Sequence, residues 1–185
     1  MTRFTLHGIF ASGPTYKVGL MLNLTGTPYD YEHVDLRSGA HKADAFLAKN
    51  RYGQVPVLED REKDECLCQS SVILDFLADE TGKFGGKDHA ENYEIFRWVL
   101  WDNHKLSSMA GMTRFLMNFL PEDKRPADVI AFNQGRLKAA YDLLNIHLAS
   151  RDWIVGDGAT NDNTETDSTD NGVPDDGSPT ASAPI

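Results

Sequence analysis

The stretch FASGPTYKVG, Phe10 to Gly19, sets Ser-Gly-Pro-Thr between an apolar run that reads as a strand and one that reads as a helix. Four chemistries suit such a junction: a phosphate cradle, a serine nucleophile, an anion site at a helix end, or a plain helix cap. A phosphate cradle needs more glycine and a Gly-Lys-Ser/Thr ending, which this stretch lacks. A nucleophilic Ser12 needs a base within reach, and spacing alone does not bring His7 or His104 there. Pro14 suits the first helical position, where a missing N–H has no partner to lose, so Ser12 or Gly13 is the N-cap. A capping serine and a helix end that attracts anions are compatible, and both readings stand. Cys66 and Cys68, the two cysteines of the chain, are two residues apart in a strand-like segment, where a disulfide between them would be strained. A reduced, cytoplasmic setting is therefore the expectation.

The elements that must position these groups are set by periodicity. Arg3 to His7 alternates apolar and polar residues and reads as a strand. The helix after it places Val18, Leu22 and Thr25 on one face, with Met21 and Leu24 beside them, and Gly26 as its stop. Tyr29 to Leu36 is a second strand, KADAFLAKN a short helix, QVPVLED and CLCQS two short strands, and SSVILDFLADETG a helix closed at Gly82. The order β-α-β-α-β-β-α argues an α/β unit with helices on a mixed sheet. Pro56 cannot donate to a ladder and belongs at a strand start or edge.

FGGKDHA punctuates the chain, and the residues after it turn helical in pattern. The run from Glu91 to Leu120 carries Ile95, Val99, Leu106, Met112 and Phe119 as its apolar stripe. Another helix carries Ile130, Leu137, Tyr141, Leu144 and Leu148. Beyond Gly156 the apolar pattern stops. Residues 157–185 hold seven acids and no Lys or Arg, which leaves about −3 of the total charge of −10 on the first 156 residues. Such a segment reads as a disordered acidic tail. Tested as a calcium loop, it offers Asp167, Thr169 and Asn171 around Gly172, with Ser178 where a bidentate Glu belongs, so no metal is expected. The balanced body argues against nucleic-acid binding. No run of about 18 apolar residues suggests a membrane span, and the N-terminus is too short and polar for a secretory signal.

The segments TLHGIFASGPTYKVGLML, DLRSGAHKADAFLAKNRYGQVPVLED and LCQSSVILDFLADE, with ENYEIFRWVLWD after them, resemble a cytosolic glutathione S-transferase, in particular the bacterial serine-type members. The resemblance runs from Thr5 to about Gly156. It implies a thioredoxin-like α/β N-terminal domain over residues 1–84, a linker at 85–90, an incomplete all-α helical domain at 91–156, and the disordered acidic tail at 157–185. It implies glutathione as a substrate, without a metal, and a homodimer. Ser12 matches the serine that hydrogen-bonds the glutathione sulfur and favours its thiolate. His41 and Lys42 match the positions that meet the glycyl carboxylate. Gln54 and Val55 precede the family's cis-proline, here Pro56, and the Val55 backbone matches the partner of the cysteinyl main chain. Gln69 and Ser70 match the pair that binds the γ-glutamyl end.

In the helical domain Trp98, Trp101, His104, Met109 and Met112 are candidates for an electrophile pocket, although such a stripe is more often core. Three departures within the matched segments stand out. Arg51 comes after Asn50 where the family keeps proline, Gln69 replaces an acidic residue, and no cysteine stands at the Ser12 position, against the thiol–disulfide branches. Where a Ser/Thr-x-x-Asp box should open a long buried helix, only Thr164–Asp167 fits the pattern, with no apolar run behind it. The expectation is therefore a truncated helical domain with Tyr141, Leu144 and Leu148 uncovered. Two functions compete. One is a transferase that conjugates the glutathione thiolate to a small electrophilic apolar molecule, as in detoxification. The other is a non-catalytic glutathione-binding or interaction protein with a degenerate C-terminal domain.

Overall fold

The computed structural model describes residues 2–156. The acidic segment 157–185, with the calcium-loop reading and the Thr164–Asp167 box, lies outside the described residues. The strands β1 (Phe4–Gly8), β2 (Tyr29–His33), β3 (Val57–Asp60) and β4 (Glu65–Cys68) form one sheet in the order β2-β1-β3-β4. β1 runs parallel to β2, with Leu6 opposite Tyr31, and antiparallel to β3, with Leu6 opposite Leu58. β4 closes a hairpin with β3. The expected mixed α/β unit is present in the expected order.

The central strand β1 is covered on both faces, and every one of its residues is buried. On one face, α1 (Gly13–Thr25) and α3 (Ser70–Thr81) bring Val18, Met21, Leu22, Ile73 and Leu77 against Phe4, Leu6 and Leu58. Full burial of each such side chain contributes about 1.5–3 kcal/mol before the entropy of ordering. On the other face, Phe46 of the short α2 (Asp44–Leu47) packs with Val34 and Val57. Leu24, grouped with the inner face of α1 in the sequence, is exposed. Gly26 ends α1 in the left-handed conformation, φ 72°. Gly8 is required by contact: a Cβ there would lie 2.2 Å from Cγ2 of Thr15, because the end of β1 abuts the first turn of α1. Arg3 ties the layers together, donating to the fully buried Asp60 at 2.7 Å and to Glu80 of α3 at 2.9 Å.

The helical region consists of α4 (His89–Trp101), a π-turn (Asp102–Ser107), α5 (Ser108–Asn118) and α6 (Ala127–Leu148). α4 begins at His89, inside the stretch read as a linker to residue 90, because Asp88 caps it by accepting from the Glu91 N–H at 2.9 Å. The π-turn shifts the helical phase, since i→i+5 bonding takes up more residues per turn than the α-helix. Thr113 is therefore the buried residue of α5, while Met112 and Phe119 of the expected stripe are exposed. On α6 the buried residues are Asn133 and Ala140, and Tyr141 is exposed. Trp98 packs against His147 with tilted rings at 4.4 Å and meets Trp101 edge-on at 5.2 Å, joining α4 to α6. Among the described residues no helix is long and apolar enough to cross a membrane.

Candidate functional site

Ser12 lies at the mouth of the β1–α1 junction with an extended backbone (φ −87°, ψ 120°), the geometry of an N-cap. Its Oγ accepts from the Thr15 N–H at 3.3 Å, and its carbonyl accepts from the Tyr16 N–H at 2.9 Å. Pro14 is consequently the second helical residue rather than the first. Because the cap uses a lone pair of Oγ, the hydroxyl proton remains available to donate outward.

The opposite rim is the loop before β3. Asn50, 2 % exposed, anchors it: its Nδ2 donates to the Gln54 carbonyl at 2.7 Å and its Oδ1 accepts from the Tyr52 N–H at 3.0 Å. The Arg51 departure therefore leaves this loop held by the residue before it. The Val55–Pro56 peptide is cis. Val55 comes ahead of the first ladder pair, Val57 with Cys68, and makes no backbone hydrogen bond among the described residues. Gly53 (φ 59°) cannot carry a side chain, since a Cβ would lie 2.9 Å from the His41 carbonyl oxygen and 3.4 Å from Lys42 Nζ. At the third rim Gln69 has φ 70° and Ser70 opens α3, whose N-terminus has no side-chain cap. Gln69 Nε2 donates to Gln54 Oε1 at 3.5 Å, a long contact across the gap.

Ser12, His41, Gln54, Val55, Pro56, Gln69 and Ser70 all line one cavity of about 450 Å³. Two helix N-termini, those of α1 and α3, end on its wall; both present partial positive charge, and α3, which has no side-chain cap, also presents free N–H groups. Nδ1 of His41 is buried there without a hydrogen-bond partner. Lys42 is exposed and is not on the wall, though its ammonium comes beside Gly53, which is. Trp101, His104, Met109 and Met112 are not on this wall either. The helical region supplies Asn103 instead. Asn50 and Gly53 also line the cavity, and sequence reasoning gave neither a role. Asn103 carried no signal at all, because its placement depends on a contact between distant parts of the chain. The cysteines are free, and partial desolvation pushes the Cys66 thiol up, against a reactive thiolate. Among the described residues no three His, Cys, Asp or Glu side chains gather as a metal site.

Residues 2–79 match the family model described as glutathione S-transferase, N-terminal domain. Over 156 residues the chain is 31% identical to the glutathione S-transferase GstB of Escherichia coli, a match spanning 83% of this chain and 74% of that protein. The chain belongs to the glutathione S-transferase family. It is also 29% identical over 171 residues to glutathione S-transferase 3 of Zea mays, covering 86% of this chain and 73% of the maize protein. The crystal structure of a glutathione S-transferase from Pseudomonas fluorescens superposes with a TM-score of 0.76 at 33% identity, covering 84% of this chain and 76% of that one. The thioredoxin-like N-terminal α/β domain with a helical region after it is thus the family fold, seen here across the described residues.

Proposed function

We propose that the cavity at Ser12 binds glutathione and that the protein is a serine-type glutathione transferase, joining the thiolate to a small electrophilic apolar molecule. The observation that carries this reading is the convergence of two helix N-termini and the Ser12 hydroxyl on one cavity next to the unpaired Val55 backbone. Glutathione is an anionic peptide with one thiol. Its γ-glutamyl end meets the N–H groups of α3 with Gln69 and Ser70, its cysteinyl main chain pairs with Val55 after Gln54, and its glycyl carboxylate faces His41 and Lys42. Ser12 donates to the sulfur, which lowers the thiol pKa through a hydrogen bond and the field of α1. The serine keeps its proton and forms no covalent bond. The thiolate attacks the electrophilic carbon, its lone pair forms the C–S bond, and the leaving group departs with the bonding pair. Proximity supplies the rest of the acceleration.

In this reading residues 1–84 form the glutathione domain, residues 91–156 the helical domain, and the working form is a cytoplasmic homodimer. Retention on immobilised glutathione, with conjugation assays of the wild type and Ser12→Ala, tests it. The expected result is retention of both proteins and a loss of kcat/KM in Ser12→Ala of about 100-fold, in the range of one lost stabilising donor. In pH profiles, the activity of the variant rises at higher pH than that of the wild type. A second reading, a glutathione-binding protein without turnover, is favoured by one observation: the helical region places only Asn103 on the wall. Retention without conjugation of any electrophile selects that reading, and no retention refutes both.

A further inference from the structure

Lys17 of α1 is bonded to two residues of the helical region. Its ammonium pairs with Asp102 and donates to Ser107 Oγ at 2.8 Å, and Ser107 donates to Asp102 Oδ2 at 2.9 Å. Asp102 and Ser107 are the first and last residues of the π-turn, and Asn103, which lines the cavity, comes directly after Asp102. A π-turn is a local geometry that helices seldom adopt without tertiary support, and it recurs at functional sites. The Lys17 and Asp102 side chains are 37% and 32% exposed, too open for their pair to contribute much stability. What three mutual bonds at the two ends of one turn do is fix its position.

We infer that Lys17 is a positioning residue, which holds the π-turn so that Asn103 meets the group attached to the sulfur. The inference rests on the reading of the cavity as a glutathione site. A carboxamide offers two N–H donors and an acceptor oxygen. The favoured electrophiles are therefore those with an acceptor oxygen near the reacting carbon and a leaving group on that carbon. α1 then sets both sides of the reaction. Its capping serine meets the sulfur, and Lys17, about one and a half turns further on, holds the residue that meets the electrophile.

Binding of S-(para-nitrobenzyl)glutathione and of S-benzylglutathione to the full chain, measured by calorimetry, tests this without requiring turnover. Lys17→Met and Asn103→Ala are each expected to weaken the nitrobenzyl conjugate by about five- to tenfold, the loss of one hydrogen bond. The benzyl conjugate stays within about twofold. Lys17→Arg, which keeps a cation for Asp102 and Ser107, retains the wild-type ratio. Asp102→Ala, which removes the acceptor of both Lys17 and Ser107, repeats the loss should the methionine variant fold poorly. Equal weakening of both ligands, or an unchanged ratio, overturns the role of Lys17 and leaves the glutathione site standing. If the unaltered protein binds neither ligand, the glutathione reading is wrong and this inference falls with it.

Discussion

The α/β unit and the helical region use apolar residues in opposite ways. In the first, Leu6, Val18, Leu22, Val57, Leu58, Ile73 and Leu77 are 0–1 % exposed, sealed between a sheet and helices on both its faces. In the second, α4 has no fully buried residue, and Tyr93, Phe96, Leu100, Phe132 and Ile146 are exposed. A sheet whose central strand is packed on both faces encloses a core within a short chain, whereas a few helices bury only the stripes along which they touch. The division extends to the site. Ser12 and Ser70 stand at the ends of helices locked by packing and Val55 directly before β3, while Asn103 reaches the same cavity through the polar contacts of Lys17. One unit supplies rigidity, and the other is held by a few bonds that could be rearranged.

The contrast can be broken by substitution. Leu58→Ala is expected to destabilise the protein by about 2–5 kcal/mol in denaturant titration, since the side chain is fully buried between strand and helices. Asp60→Asn comes next, at about 1.5–3 kcal/mol, because it takes the charge from the buried acceptor of Arg3, which keeps Glu80. The same network sets a pH dependence. The Arg3 guanidinium holds the Asp60 carboxyl below the usual carboxylate range, and with help from Lys63 it lowers the Glu80 carboxyl pKa to about 2. Carboxyls depressed on folding stabilise the fold above their unfolded values and lose that contribution as acid protonates them. The melting temperature should therefore hold above about pH 5 and fall steadily toward about pH 2. A flat profile over that window would remove the network from the account of stability. Phe132→Ala closes the series: at 65% exposure it should shift stability by no more than about 0.5 kcal/mol. A large loss there would mean that the helical region has a core of its own.

Local chemistry made much of the first unit legible in the sequence. Ser12 with Pro14 two residues on marks a helix start, Gly26 and Gly82 mark left-handed stops, and Pro56 marks a strand entry; each depends only on its neighbours. The helical region was less legible for a physical reason. The extra residue in the π-turn moved the inner face from Met112 to Thr113, and periodicity carried through from Ile95 does not register such a slip. The link from Lys17 to Asp102 was hidden because two exposed-looking charges 85 positions apart announce no contact. Asn50 stands out in the sequence only for the residue after it, although its own amide is what holds the loop.

The left-handed backbone at Gln69 has a consequence for how this chain can change. A side-chain-bearing residue at φ 70° costs about 1 kcal/mol or more that glycine would not. Glycine would also remove the carboxamide from the cavity mouth. Position 69 is thus one where selection for a tougher protein and selection for ligand capture pull in opposite directions. A lineage, or a designer, optimising heat resistance alone would be drawn to erase this residue, and the loss would register first in what the protein can hold.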